Sequence, residues 1–232
     1  MSAKQRAAAE HACDTRQRLL ITALRLYAAE GLYAVSLRRI SAEAGSKNSA
    51  AMHYHFHNRS GVIEALVAMI ASELAIIDTR LRAGQPAPES MREACRSILL
   101  PLTRLPRAKH WGSDALRFMS RLVSDSDPAT AATINQVYAP FWLRMDKALS
   151  SRIPELPADV RQLRLLFMST NVLHGVAEVA WLAHSPLGDL SHFDDDSLLD
   201  HLVDYLIGGL TATASRNSKA TTDKRSRHAT GS

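Results

Sequence analysis

Two cysteines in 232 residues, Cys13 and Cys95, are too few for a disulfide framework. So low a count suits a reducing compartment. No stretch reaches the roughly 18 consecutive apolar residues of a membrane-spanning helix. The N-terminal run MSAKQRAAAEHACDTRQ has neither an apolar core nor a cleavage pattern, so no secretory signal is expected and a cytoplasmic location is. Neither a G-x-S-x-G elbow nor a Gly-rich phosphate loop occurs. An enzyme is therefore not expected, and no catalytic residue, cofactor or metal is assigned. Period-two alternation is never sustained, which leaves helical periodicity as the organising pattern and an all-α fold as the expectation. No internal repeat is evident.

Hydrophobic residues make up 46% of the chain, enough for a sizeable core, and the net charge of +5 is unevenly placed. Residues 1–66 carry nine Lys/Arg against five Asp/Glu, residues 67–215 fourteen against seventeen, and residues 216–232 five against one. A basic N-terminal part on an acidic body is the footprint of a nucleic-acid-binding head on a second domain. The divisions expected are 1–66, 67–215 and a basic tail, 216–232, too polar to fold.

Within the first part, GLYAVSLRRISAEAGSKNSAAMHYHFHNRSGVIEAL (31–66) reads as two short helices around a Gly turn. Ser36 can cap a helix with apolar positions at Leu37, Ile40 and Ala44. Gly45 can end it in the left-handed region. A second helix is expected from about Asn48 to His55, with Met52 and Phe56 on its inner face. Two short helices and a tight turn make a helix-turn-helix, whose second helix enters the major groove. Lys47, Asn48, Ser49, Ala50 and His53 are the expected base contacts. Ser36, Arg38, Tyr54 and Arg59 are the expected phosphate contacts, with Arg39 as a further candidate.

The motif resembles the TetR family of bacterial transcriptional regulators. The resembling residues are Gly31, Ser36-Leu37-Arg38-Arg39-Ile40, Ala44-Gly45, Tyr54-His55-Phe56, and Arg59 where a Lys is usual. Gly45 to Phe56 is one residue longer than the commonest family pattern. Arg39 stands where an acid is frequent, which argues against a capping box at Ser36. The resemblance implies a three-helix DNA-binding head and a helical ligand-binding and dimerisation body, about nine helices in all. It also implies a homodimeric repressor, released from an inverted-repeat operator in double-stranded DNA by a small-molecule effector. An all-α ligand-binding protein or enzyme without a transcriptional role is the competing reading. A constitutive or activating DNA-binding protein is another.

Beyond the motif, a first helix is expected from Asp14 or Thr15 to Gly31, and a long one from Arg59 to Leu81. Further helices are expected near 89–104, 111–124, 128–150, 158–184 and 195–214, with breaks at GQPAPES and at Pro106, Pro128, Pro154, Pro157 and Pro186. The helix over 163–184 is apolar around nearly its whole circumference, so it must be covered on both sides. The last helix carries Leu198, Leu202, Leu206 and Leu210 at i, i+4 spacing. Residues 158–184 and 195–214 are the expected homodimer interface, as in the family.

Asn171, His174 and Glu178 form a polar stripe on the first of these helices, beside Phe167 and Trp181. A ligand pocket would satisfy such a stripe, as would a hydrogen-bonded dimer interface or a plain structural network. Trp111, Phe118 and Met119 could line it, as could Tyr138, Phe141 and Trp142. The implied effector is largely apolar, with one or two polar groups. The alternating His53, His55 and His57 point to different helix faces and do not suit one metal. The acids at 194–200, with His184, His192 and His201 nearby, read as charges favouring a helix N-terminus.

Overall fold

The structure, a computed structural model, describes residues 3–46, 48, 50–125, 128–177, 184, 186 and 188–213. Lys47, Ser49, Glu178, Trp181 and the tail from 216 lie outside the described residues, as do the side chains of Tyr138 and Phe141.

Among the described residues there are nine helices: α1 Ala3–Glu30, α2 Leu37–Glu43, α3 Ala51–Phe56, α4 Arg59–Arg82, α5 Met91–Ala108, α6 Gly112–Asp125, α7 Pro128–Ser150, α8 Ala158–Ala177 and α9 Asp195–Thr211. Most bounds fall within a few residues of the sequence expectation. Three differ for identifiable reasons. Helix α1 starts about a dozen residues earlier than its apolar face does, because the Ala-rich run AKQRAAAEHA favours helix without needing to bury a stripe. Helix α3 starts later than expected, because the Asn48 side chain accepts from the Ala50 amide at 2.9 Å and forms a turn there. Helix α5 runs through Pro101 and Pro106 to Ala108. Its start is fixed by a capping box, in which Ser90 accepts from the Glu93 amide and Glu93 reaches back to the Ser90 amide.

Helix α4 connects the two ends of the molecule. Val62, Ile63 and Leu66 are buried near its start, and Ile77 and Asp78 near its end. It is long and apolar enough to cross a membrane, but its buried positions join the same core as α1, α5 and α6. The head therefore shares a continuous core with the body. Tyr27 of α1 stacks on Phe118 of α6, with ring centroids 6.3 Å apart. Arg121 of α6 donates from Nε to the Ala28 carbonyl at 2.9 Å and from a terminal nitrogen to the Ala29 carbonyl at 3.2 Å. These are carbonyls of the last turn of α1, which have no donor within the helix.

The acid-rich start of α9 has two roles. Asp194 is the N-cap, accepting from the Ser197 amide at 2.8 Å, and that bond holds its carboxyl below the usual range. The other acids pair with α5: Asp195 with Arg107, Asp196 with Arg104 and Arg96, Asp200 with Arg96, and Asp204 with Arg92. The sequence reading anticipated the helix-end effect and missed this interhelix ladder, since nothing local places α5 beside α9. His192 and His201 pack against the Phe193 ring, with centroids 4.3 and 5.2 Å away.

Candidate nucleic-acid interface and ligand cavity

The head forms as its local chemistry dictates. Ser36 is extended, with ψ 151°, and its Oγ accepts from the Arg39 amide at 3.2 Å. Gly45, at φ +69°, ends the helix in the left-handed region. Ala51, Met52 and Phe56 are the buried positions of α3. Asn58 then caps α4, accepting from the Gly61 amide at 2.9 Å. A Cβ on Gly61 would lie 2.1 Å from the Phe56 carbonyl oxygen, so only glycine allows α3 and α4 to meet this closely.

The outer surface of this unit carries Arg38, Asn48, Ala50, His53 and Tyr54, all exposed; Tyr54 is 77% exposed. His53 Nδ1 lies 2.8 Å from the His57 carbonyl, which orients its ring. Two other candidate cations have protein partners. Arg39 binds both oxygens of Glu30, at 2.5 and 2.7 Å, and Glu43 at 2.8 Å. Its hydrogen bond to Glu30 lowers the Glu30 carboxyl, and bonds from Arg25 and Arg39 lower Glu43. Arg59 is partly buried, donates to the Val35 carbonyl at 3.2 Å and lies 5.5 Å over the Tyr33 ring. Both arginines thus brace the head, a role that sequence spacing alone does not reveal.

In the body, α4 to α8 enclose a cavity of about 420 Å³. Its described wall is mostly aliphatic, from Leu74, Leu99, Leu102, Leu122, Met145 and Leu173 among others, with the aromatic Trp142. Thr79, Val123, Leu166 and Thr170 line it and are exposed, so it opens to solvent on their side. Asp78 is the carboxylate among the described wall residues. It accepts from Arg82 Nε at 2.7 Å and from Arg144 of α7 at 3.2 Å.

Of the residues expected to line a pocket, Met119 and Trp142 do so. Trp111 and Phe118 are buried in the packed core instead, Phe118 against Tyr27. Asn171 and Phe167 are exposed on the other side of α8, where Asn171 donates to the Phe167 carbonyl at 2.9 Å. His174 meets Ser120 of α6, with Nδ1 2.7 Å from Oγ. The described members of the stripe, Asn171 and His174, are therefore not among the residues lining this cavity, and those of α8 that line it include Leu166, Ser169, Thr170, Val172 and Leu173. Asp78 and Arg144 were missed, because two charges on separate helices give no local signal.

The outer face of α8 and α9 is apolar and uncovered in one chain. Leu163 is 50% exposed, Leu166 59%, Phe167 58% and Tyr205 64%. Phe167, Asn171, Tyr205 and Gly209 edge a shallow cleft between the two helices. Leu206 and Leu210, which the leucine spacing assigned to an interface between chains, are instead buried within this chain. The tighter packing of α9 on α5 and α8 turns them inward.

Residues 96–209 match the family model of the tetracyclin repressor-like C-terminal domain. No curated protein matches the chain. A Rhodococcus sp. protein described as a TetR-family transcriptional regulator superposes with a TM-score of 0.61 at 15% identity, over 85% of this chain and 99% of that one. The regulator FadR from Bacillus subtilis, in complex with stearoyl-CoA, gives 0.59 at 13% identity, over 83% and 98%. AibR, in complex with isovaleryl coenzyme A and operator DNA, gives 0.58 at 18%, over 82% and 97%. At these identities the likeness establishes the fold.

Proposed function

We propose, for a chain that has the TetR-family fold and carries a tetracyclin repressor-like C-terminal domain over residues 96–209, a homodimeric repressor released from an inverted-repeat operator by an apolar small molecule. The observation that carries the reading is the helix-turn-helix, with its buried face on Met52 and Phe56 and its polar face on Arg38, Asn48, His53 and Tyr54. In this reading the segment Lys47–Ala50 and His53 read bases. Ser36, Arg38 and Tyr54 hold phosphates, while Arg39 and Arg59 brace the head that presents them. The structural relatives support both halves of the proposal, since one holds an acyl-CoA and operator DNA together.

The remaining assignments follow from the same premise. The head comprises residues 1–66 and the body 67–215, within a cytoplasmic protein. The uncovered face of α8 and α9 pairs with a second copy and places two heads on a two-fold operator. The cavity between α4 and α8 takes the effector. Ligand must favour the DNA-incompetent arrangement of the heads, because equal affinity for both arrangements shifts nothing.

The test is operator selection from random duplex DNA, followed by binding across a salt series. Selection of an inverted repeat is expected, and Arg38→Ala should flatten the log–log salt slope by about one unit for one lost phosphate contact. Failure to enrich any sequence would sink the regulatory reading.

A further inference from the structure

We infer that the effector of this cavity is an amphiphile with a hydrocarbon tail and an anionic head, and that the head is held by Arg144 in competition with Asp78. The inference deepens the ligand-cavity reading above and rests on it.

Few of the described residues lining the cavity are polar. The three hydroxyls among the described wall residues are already committed to their own helices: Thr79 donates to the Ala75 carbonyl at 2.8 Å, and Ser169 and Thr170 to the Leu166 carbonyl at 2.6 and 3.2 Å. Such back-bonded hydroxyls present chiefly carbon to the cavity. Asn135 reaches the wall from an exposed position. Among the described wall residues the charged ones are Asp78 and Arg144.

These two are unequal. Asp78 is 8% exposed, and its Oδ1 is held by Arg82 at 2.7 Å. Arg144 has a side chain 52% exposed and reaches Oδ2 with one nitrogen at 3.2 Å. A guanidinium offers five N–H donors in a planar fork, so most of this donor capacity is open to a ligand. If Arg144 turns to a ligand anion, Arg82 still neutralises Asp78 and no buried charge is orphaned. A cationic head would meet two guanidinium groups against one carboxylate that they already neutralise. A neutral head would gain less from Arg144 than an anion, which accepts charge-assisted bonds.

The tail follows from the volume. About 420 Å³ of aliphatic space holds on the order of ten methylene-sized groups, at roughly the 30 Å³ that a water molecule occupies in the liquid. The head would also break the tie that Arg144 makes between α7 and α4. Helix α4 carries Val62 and Ile63 at its other end, so its freedom bears on the DNA-binding unit.

The test compares decanoate, decanol and decylamine, which share a tail, by calorimetry below their micelle concentrations, on the full chain without DNA. Decanoate should bind about tenfold or more tighter than decanol, the factor expected from an added hydrogen bond to a charged group, and decylamine should be weakest. Arg144→Gln should remove the preference for decanoate and leave decanol unchanged. Tighter binding of decanoyl-CoA than of decanoate, also lost in Arg144→Gln, would identify the anion as phosphate and support the same class. Equal binding of decanoate and decanol, or a preference that survives Arg144→Gln, would overturn the inference while leaving the cavity reading intact. If none of the four bound, the cavity reading itself would fall with it.

Discussion

The joint between α1 and α6 allows a quantitative test. Arg121 donates to the Ala28 and Ala29 carbonyls at the end of α1. Ala28 is 3% exposed, so its carbonyl has little access to water once the guanidinium is gone. Leaving a buried acceptor unsatisfied costs about 1–3 kcal/mol, while the more exposed Ala29 carbonyl can exchange its bond for water at little cost. Loss of a cation at a helix C-terminus adds about 0.3–1 kcal/mol. Arg121→Ala should therefore destabilise the fold by about 2 kcal/mol, and Arg121→Lys by about half of that, since an ammonium serves as a point donor in place of the fork. Urea denaturation should show a lower midpoint at unchanged slope. Hydrogen exchange should locate the effect: amides of the last turn of α1 should exchange roughly thirtyfold faster, the factor for 2 kcal/mol. A change under about 0.5 kcal/mol, with protection at 27–31 unaltered, would refute the view that Arg121 fastens the head to the body.

Four further outcomes are expected. Phe167→Glu with Tyr205→Glu should give a helical monomer by sedimentation and circular dichroism, because both side chains are exposed in one chain; a stable dimer would remove this face from the interface. Leu206→Asp should instead unfold the protein, since it buries an unpaired carboxylate at a position only 4% exposed. The ladder between α5 and α9 should fail in acid: the hydrogen bond from Arg104 lowers the Asp196 carboxyl, so its contribution is complete above the unfolded-state value of about 3.9 and fades as pH drops through the lower folded value. Asp196→Asn should flatten the fall in thermal midpoint between about pH 4 and pH 2, and an unchanged profile would count against the ladder. Finally, burial pushes the Cys95 thiol up to about 11, while Cys13 is exposed. Iodoacetamide at pH 8 should label Cys13 alone in the native protein and both residues in denaturant; rapid labelling of Cys95 in the native state would contradict its burial.

Local patterns were sufficient for the helical class, the head and most helix limits. Ser36 capping, the left-handed Gly45 and the buried pair Met52 and Phe56 depend on residues within a few positions of each other. Such interactions are legible in a sequence, because chain geometry already holds the partners together. The head's resemblance to TetR regulators rests on the same short-range grammar, and the match of residues 96–209 to a tetracyclin repressor-like C-terminal domain agrees with it.

Facing was decided by the tertiary structure. Periodicity identified apolar stripes on α8 and α9 but could not say which side met the rest of the chain. Packing turned Leu206 and Leu210 inward and left Phe167 and Tyr205 out. It also took Trp111 and Phe118 into the core, sent Asn171 to the outer surface, and drew Asp78 and Arg144 together from residues 66 apart in the chain. An interaction between helices depends on how whole helices stack, and that is the sum of many weak contacts. The amino-acid sequence by itself determined which segments coil and where the helix-turn-helix lies; only the stacked helices decided where a cavity opens and which charges line it.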